Sequence, residues 1–355
     1  AQSDIFGSEV RILETFRENG RFRDAESLQH GARRKALVRS RKAVFMGMHP
    51  RWIRDDLVIS TTQRTNDRQF LFKPDPFVRN LIGASAARAQ KKFPVKIYWL
   101  EYNTNHEQSG LAPIDDSREA ASNVVSFKQL FHRLLAEGIN NYLGREGSVF
   151  SSKSREGHCV DDWSVEDRYF YALTNPVKDG LCDRIKHWGG FSTYAALAGG
   201  QHETYTFIDR TAWNHAGGER SKKPLSAFEE TIALEFTPLP GWEDMKASQR
   251  QTRIRRRVRE LEQYFREERQ REGRTAMTKE RMAKVDHRDR PKTPAKRTRM
   301  PLCHAASVEA RKRYEADHRE FRQAHRQASI SFLSGNFEVA FPKGSFRPPL
   351  IACAA

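Results

Sequence analysis

The order of apolar and polar positions divides the chain into elements before any chemistry is considered. Residues 56–62 (DLVISTT) are rich in β-branched side chains and predict a strand. Residues 74–93 follow a basic turn and place Phe77, Leu81, Ala84 and Ala87 at helical spacing. Residues 95–102 (VKIYWLEY) predict a second strand. Residues 117–143 predict a long amphipathic helix with Val124, Phe127, Phe131, Leu134 and Leu135 as its apolar stripe. A further helix is expected from Ser164, with the Ser164 side chain as cap, Asp167 reaching back, and Pro176 as its stop.

Beyond residue 192 the pattern loosens. Glycine-rich stretches (AGGQ, HAGGER) precede ETIALEF, a strand by composition, and then PLPGW. Ile254, Val258, Leu261 and Phe265 recur on one helical face, surrounded by arginine. The proline-rich text DHRDRPKTPAKRTRMP predicts a linker. A last helix is expected over about 307–332 with Val308, Tyr314, Phe321 and Phe332 inward, followed by an extended FPKGSFRPPL tail. There is no internal repeat. The implied division is a basic N-terminal extension (1–49), an α+β domain (50–195), an irregular connecting segment (196–245) and a basic, mostly helical C-terminal extension (246–355). Met46 and Met48 fall just before the first strong element, so a start at either would make the preceding residues an upstream segment.

Charge changes the picture. With 62 Lys+Arg against 45 Asp+Glu the formal net charge is +17, which favours a polyanionic partner, nucleic acid first among them. Residues 246–299 alone hold 20 Lys+Arg and 8 Asp+Glu, a net of +12. The arginines at 253, 255, 256, 257 and 259 are too close together for one face, so an outward stripe is expected, with Arg255, Arg256 and Arg259 as DNA contacts. Ion pairs at i,i+4 account for part of this charge. The 22 Phe and 6 Trp argue against wholesale disorder.

Four dispersed cysteines (Cys159, Cys182, Cys303, Cys353) without a CxxC pair do not make a disulfide framework. His158–Cys159 and Cys303–His304 could be halves of a zinc site, but adjacent ligands are weak evidence, and reduced thiols are the expectation. No apolar run reaches transmembrane length and no apolar signal core opens the chain, so a cytoplasmic, nucleoid-associated protein with no membrane partner is expected.

Three segments carry a resemblance. STTQRTNDRQFLFKPD (60–75) opens with a strand and a Thr-Arg-rich turn, YNTNH (102–106) ends a strand in histidine, and YALTNPVKDGLCDRIKHWGGFSTY (171–194) sets Tyr, Asn-Pro-Val, Gly-Leu and Trp in a fixed order. In this order they resemble the REP-associated tyrosine transposases, a group of HUH-type single-strand DNA transposases, and within it a subgroup with a long C-terminal extension. PLPGW, MPLCHA and FPKGSFRPP resemble that subgroup's C-terminal text, so the resemblance spans roughly residues 50–350.

The resemblance implies a ferredoxin-like antiparallel sheet flanked by helices. It also implies cleavage and rejoining of single-stranded or hairpin DNA, in which a tyrosine hydroxyl attacks a phosphodiester to leave a 5′ phosphotyrosine and a free 3′ hydroxyl. A divalent cation, Mg²⁺ or Mn²⁺, would polarise the phosphate. By motif, Tyr171 takes the nucleophile's place, His106 the first metal ligand's, and Asn175 a further ligand's, although Pro176 biases Asn175 out of the helix. Arg64 and Arg68 fall near the DNA, and a homodimer is compatible with the pattern.

One position departs from the family. Gln108 stands where a second histidine is expected, with Glu107 in place of the apolar residue between, and the strand then breaks into SGLAP. Gln108 could coordinate through its amide oxygen, which Mg²⁺ tolerates. Glu107 could supply a carboxylate, although strand alternation would point it away. Or the site is dead, and the chain is a repurposed DNA-binding relative. The plain structural readings also stand: Tyr171 as an aromatic core residue, His106 as a hydrogen-bonding one, Arg64 and Arg68 as surface charge. An RNA-binding role is a third alternative, though the usual aromatic sheet motif is missing.

Overall fold

The computed structural model describes residues 50–151, 154–291 and 301–348. The N-terminal extension, part of the proline-rich linker and Cys353 therefore lie outside the described residues. Four strands build the central sheet: β1 (Val58–Arg64), β2 (Lys96–Asn103), β3 (His106–Ala112) and β4 (Arg155–Cys159). Helix α1 (Pro76–Lys92) joins β1 to β2, and α2 (Arg118–Leu143) joins β3 to β4. The order across the sheet is β2-β3-β1-β4, each neighbour antiparallel. A two-residue strand, β7 (Cys303–His304), adds to β4 in parallel, so the five-stranded sheet is mixed rather than purely antiparallel.

The sheet separates two apolar layers by strand alternation. Ile59, Tyr102 and Leu111 face α1 and α2, while Val58, Trp99 and Ala112 face the other side. On that other side lies α3 (Asp162–Lys178), and against it packs α6 (Ala247–Arg271) through Ile254 and Val258. Helix α4 (Tyr194–Gly199) and a two-stranded ribbon of β5 (Glu203–Ile208) and β6 (Glu229–Leu234) complete the middle of the chain. The short helices α5 (Arg210–His215) and α7 (Lys279–Lys284) and the long α8 (Val308–Leu333) complete the α-helices among the described residues.

Three local expectations change. Helix α3 starts earlier than Ser164: Asp161 is the N-cap, accepting from the Ser164 N–H at 2.7 Å, while the Ser164 hydroxyl accepts from the Asp161 N–H at 3.3 Å. Nor does Pro176 stop it. Only Val177 and Lys178 of the helix follow the proline, so one lost backbone bond is tolerated, and Asn175 stays helical. The glycine of SGLAP does not break β3 either. It lies under the Trp99 ring, where a Cβ on Gly110 would come within 2.3 Å of the indole.

Two apolar faces depart from their sequence reading only at their first residue, while Ala84 and Ala87 of α1 are buried as expected and Leu81 packs against the core. In α1 the buried residues are Val78, Ile82 and small ones, and Phe77 is exposed. Phe77 stacks at the surface on Tyr142, with ring centroids 4.3 Å apart, while the Tyr205 ring of β5 sits where a Cβ on Gly83 would be. In α8, Tyr314, Phe321 and Phe332 are inward as expected, but Val308 is exposed at the first turn.

Candidate functional site

The even-numbered residues of β3 and of β1 face α3. Register pairs Arg64 with His106 and Thr62 with Gln108, and Thr62 also pairs with Arg155 on β4. Helix α3 crosses this face with Arg168, Tyr171, Asn175 and Asp179 turned toward it. Between them lies a cleft of about 450 Å³ that includes Arg64, Arg68, His106, Gln108, Tyr171 and Asn175.

His106 is the hub. Its Nδ1 lies 2.8 Å from the Asn105 Oδ1, so that nitrogen carries the proton and Nε2 is the acceptor. Nε2 faces the Asn175 amide at 2.9 Å and the Gln108 amide at 3.3 Å. Burial, and then the charge of Arg64, lowers the His106 pKa to about 4, so the imidazole is neutral at physiological pH. The Gln108 Oε1 is buried and has no hydrogen-bond partner among the described residues. A half-turn of either amide exchanges its nitrogen for its oxygen. His106 Nε2, Gln108 Oε1 and Asn175 Oδ1 therefore fit a hard divalent cation in atom type, although none of the three is anionic.

Glu107 is no part of this set. It points through the sheet, as alternation requires, and its carboxylate accepts from Tyr102 Oη at 2.9 Å and Ser109 Oγ at 3.0 Å and pairs with His132 Nε2 at 2.8 Å. Burial works to raise its pKa, but His132, Tyr102 and Lys128 outweigh this and hold it low. A fully paired carboxylate on the far face cannot reach the cleft.

Tyr171 is only partly buried, whereas Tyr169 and Phe170 are core. Its ring carries two cations, the Arg168 guanidinium at 4.6 Å and the Lys178 ammonium at 4.5 Å from the ring centroid. Because the helix runs on through Pro176, Tyr171 and Asn175 are one turn apart on one face.

Arg64 and Arg68 both line the cleft. Arg68 does so from a turn in which Asp67 (φ 50°) and Arg68 (φ 57°) are left-handed, a conformation rarely adopted by such residues. The turn is strapped to the approach to β3 by the Thr65 N–H, which donates to the Asn105 carbonyl at 2.9 Å, and closed by the Thr65 hydroxyl, which donates to the Gln69 carbonyl at 2.7 Å. Arg155, Arg168 and Asp179 also line the cleft and were not singled out from sequence, and His304, considered there only as half of a zinc site, lines it too. Arg168 lies three residues before Tyr171, which could have flagged it. Arg155 and His304 depend on strand pairing.

The three arginines assigned to DNA on α6 lie outside the cleft lining and differ from one another. Arg255 Nε donates to the Ala198 carbonyl at 2.8 Å and binds Gln251, so it holds α4. Arg256 is open to solvent, 4.0 Å from Glu260, and Arg259 donates to the Arg255 carbonyl at 3.1 Å. Arg253 and Arg257 are paired with Glu166 and Glu260. The suspected zinc halves do become neighbours, His158 opposite Cys303 and Cys159 opposite His304. Yet among the described residues no three His, Cys, Asp or Glu side chains converge as a zinc site would need, and Cys159, Cys182 and Cys303 are free and buried.

No family model matches the chain, and no curated protein matches it either. A solved structure described as "Structure of the REP associates tyrosine transposase bound to a REP hairpin" is similar over 43% of this chain and 86% of that one, at 18% identity and a TM-score of 0.34. That is a distant likeness, and the residues of the cleft carry the functional conclusion. No helix among the described residues is long and apolar enough to cross a membrane.

Proposed function

We propose that the protein binds single-stranded or hairpin DNA in the arginine-lined cleft and cleaves and rejoins it through Tyr171. The observation that carries this reading is the meeting of His106, Gln108 and Asn175 beside Tyr171, from a strand and a helix 69 residues apart in sequence. The four-stranded part fits a ferredoxin-like fold, supported by the β1-α1-β2-β3-α2-β4 succession and its β2-β3-β1-β4 order.

Arg64, Arg68, Arg155 and Arg168 would hold the phosphates and offset the charge that develops on them. The Tyr171 oxygen would attack phosphorus as its proton passes to solvent, and the P–O3′ bond would break as the leaving 3′ oxygen takes up a proton from solvent, giving a 5′ phosphotyrosine and a free 3′ hydroxyl. Rejoining reverses the same bonds. His106, Gln108 and Asn175 would hold Mg²⁺ or Mn²⁺, which when bound polarises the scissile phosphate.

The test is incubation of the purified protein with single-stranded hairpin DNA and Mn²⁺. A covalent protein–DNA adduct that survives denaturation, and is lost in Tyr171→Phe, is the expected result. Tight DNA binding with no adduct under any divalent cation would favour the second reading, a DNA-binding protein without cleavage. The neutral donor set at His106, Gln108 and Asn175 is the specific observation in favour of that alternative.

A further inference from the structure

Helix α8 carries its charge in two separated bands. Its inward face is formed by Tyr314, His318, Phe321, Ala328 and Phe332. At 3.6 residues per turn, Arg311, Lys312, Arg319, Arg322 and Arg326 fall within about 100° of arc on one flank of that face, with Glu315 as the acid among them. The opposite flank holds Glu309, Asp317 and Glu320, with Arg313 among those. The basic flank is thus a stripe about 22 Å long, at 1.5 Å of rise per residue.

The charge of the stripe is not answered within the fold. All five cations are exposed, and none of their side chains makes an ion pair with a described residue, Glu315 included. Helix α6 is the contrast. There Arg253, Arg257, Arg269 and Arg271 pair with Glu166, Glu260, Asp183 and Glu267, and Arg255 and Arg259 hold carbonyls. On α8, Arg322 stands three residues after Arg319 and four before Arg326, spacings at which like charges destabilise a helix. A polyanion laid along them reverses that sign.

Position turns the stripe into a track. Strand β7 leads through residues 305–307 into α8. His304, at the end of β7, lines both the cleft that holds Tyr171 and a neighbouring hollow of about 340 Å³. That hollow is bounded by Trp163 of α3 and by Arg311, the first cation of the stripe. Its carboxylate, Asp167, is already paired with Arg168 at 2.6 Å. The Trp163 indole is 62% exposed, the most open of the large apolar side chains among the described residues. An open aromatic face beside unpaired cations is the combination by which proteins hold single strands, with bases stacked on the ring and phosphates on the charge.

We infer that a single-stranded segment of the DNA leaves the cleft past His304, stacks a base on Trp163 and lays its phosphates along the stripe from Arg311 to Arg326. This course rests on the DNA reading of the cleft, which supplies the strand. Phosphate contacts fix the path of the strand without reading its sequence, and Trp163 accepts any base because each has a π-face.

The experiment uses the full chain and a labelled DNA hairpin whose single-stranded overhang is lengthened one nucleotide at a time, on the 5′ side in one series and on the 3′ side in another. Fluorescence anisotropy gives each affinity. In one series affinity should rise with overhang length and then level off. A variant carrying Arg319→Gln, Arg322→Gln and Arg326→Gln should bind the bare hairpin as the unaltered protein does, but bind the longest overhang about tenfold more weakly. Its salt dependence on that overhang should flatten by about 0.7 for each phosphate no longer neutralised. Trp163→Ala should weaken the same complex about tenfold, whatever the base. Arg313→Gln, on the acidic flank, should change nothing. All of these side chains are exposed, so thermal melts should match that of the unaltered protein.

No gain with overhang length in either series overturns the inference, and so does a gain that the triple variant keeps in full. Unchanged affinity of Trp163→Ala for the longest overhang overturns the path past that residue. An equal loss for the bare hairpin and the longest overhang would put the stripe on the hairpin stem instead, and a gain that survives annealing of the overhang into duplex would equally overturn a single-stranded course. Failure of the cleft reading looks different: Arg155→Gln would then leave affinity for the bare hairpin unchanged, whatever the overhangs do.

Discussion

The Asn175 amide nitrogen lies 2.9 Å from His106 Nε2, a hydrogen bond that ties α3 to β3 inside the cleft. It exists because Pro176 leaves the helix intact, so that Asn175 points to the strand instead of into a turn. The contact makes the cleft a joint product of two elements, and most tests of function act on it or beside it.

Replacing Gln108 with histidine alone should raise Mn²⁺ affinity, since imidazole replaces a weaker amide donor on the strand face that already holds His106. Titration of Mn²⁺ followed by its water-proton relaxation checks this. Equal affinity in both proteins would mean that the donor set binds no cation.

The neighbouring change has the opposite sign. Glu107→Leu removes the acceptor of Tyr102, Ser109 and His132 together and strands buried donors. A loss of about 3–5 kcal/mol is expected on breaking such a pair. Urea denaturation measures it, and a loss under about 1 kcal/mol would show the network to be dispensable. The double change of Glu107 and Gln108 is for this reason a poor test of the metal site.

Arg155→Gln and Arg168→Gln should each weaken binding to many DNA sequences alike. Each should also flatten the dependence of log K on log salt, by about 0.7–0.9 for every phosphate that is no longer neutralised. Fluorescence anisotropy across a salt series reads both. An unchanged slope with reduced affinity for a single sequence would indicate base readout.

On α6, Arg256→Gln with Arg259→Gln isolates the outward charge, because Arg255 is committed to the Ala198 carbonyl. The pair should reduce DNA affinity with little change in Tm. Adding Arg255→Gln should lower Tm as well, through α4. A triple variant as stable as the double would mean that the Arg255 bond contributes nothing.

Glu101 supplies a pH dependence. Burial pushes its pKa up to about 7, against hydrogen bonds from Thr193 and Ser192. Its folded pKa lies above the ordinary value of 4.5, so the folded state holds the proton more tightly. This group's contribution is full below about pH 4.5 and is lost as pH rises through about 7. Glu101→Gln keeps an acceptor for Thr193 and cannot ionise, so it should raise Tm at pH 8 by roughly 2–4 °C for each kcal/mol gained. Below pH 5 it should have little effect. Thermal melts of both proteins across that range test it, and parallel curves would remove Glu101 as the cause.

Sequence by itself determined what depends on local periodicity and residue type. The β-branched run of β1, the stripe Val124, Phe127, Phe131 and Leu135 on α2, and the Ile254–Val258 face of α6 are burial patterns that recur within one element. The side of β3 on which Glu107 lies follows from alternation alone. Tertiary structure decided whatever depends on a partner distant in the chain. Phe77 stacks on Tyr142 at the surface, Tyr205 takes the place of a side chain at Gly83, and Gly110 continues a strand because Trp99 covers it. Pro176 sits inside a helix because only two residues of the helix follow it, so that a single backbone bond is lost. Arg155 and His304 reach the cleft only through the pairing of β4 with β1 and with β7. Arg255 turns from presumed DNA contact to a brace for α4, because a guanidinium satisfies the nearest carbonyl that packing offers, and no spacing rule along the chain encodes which carbonyl that is.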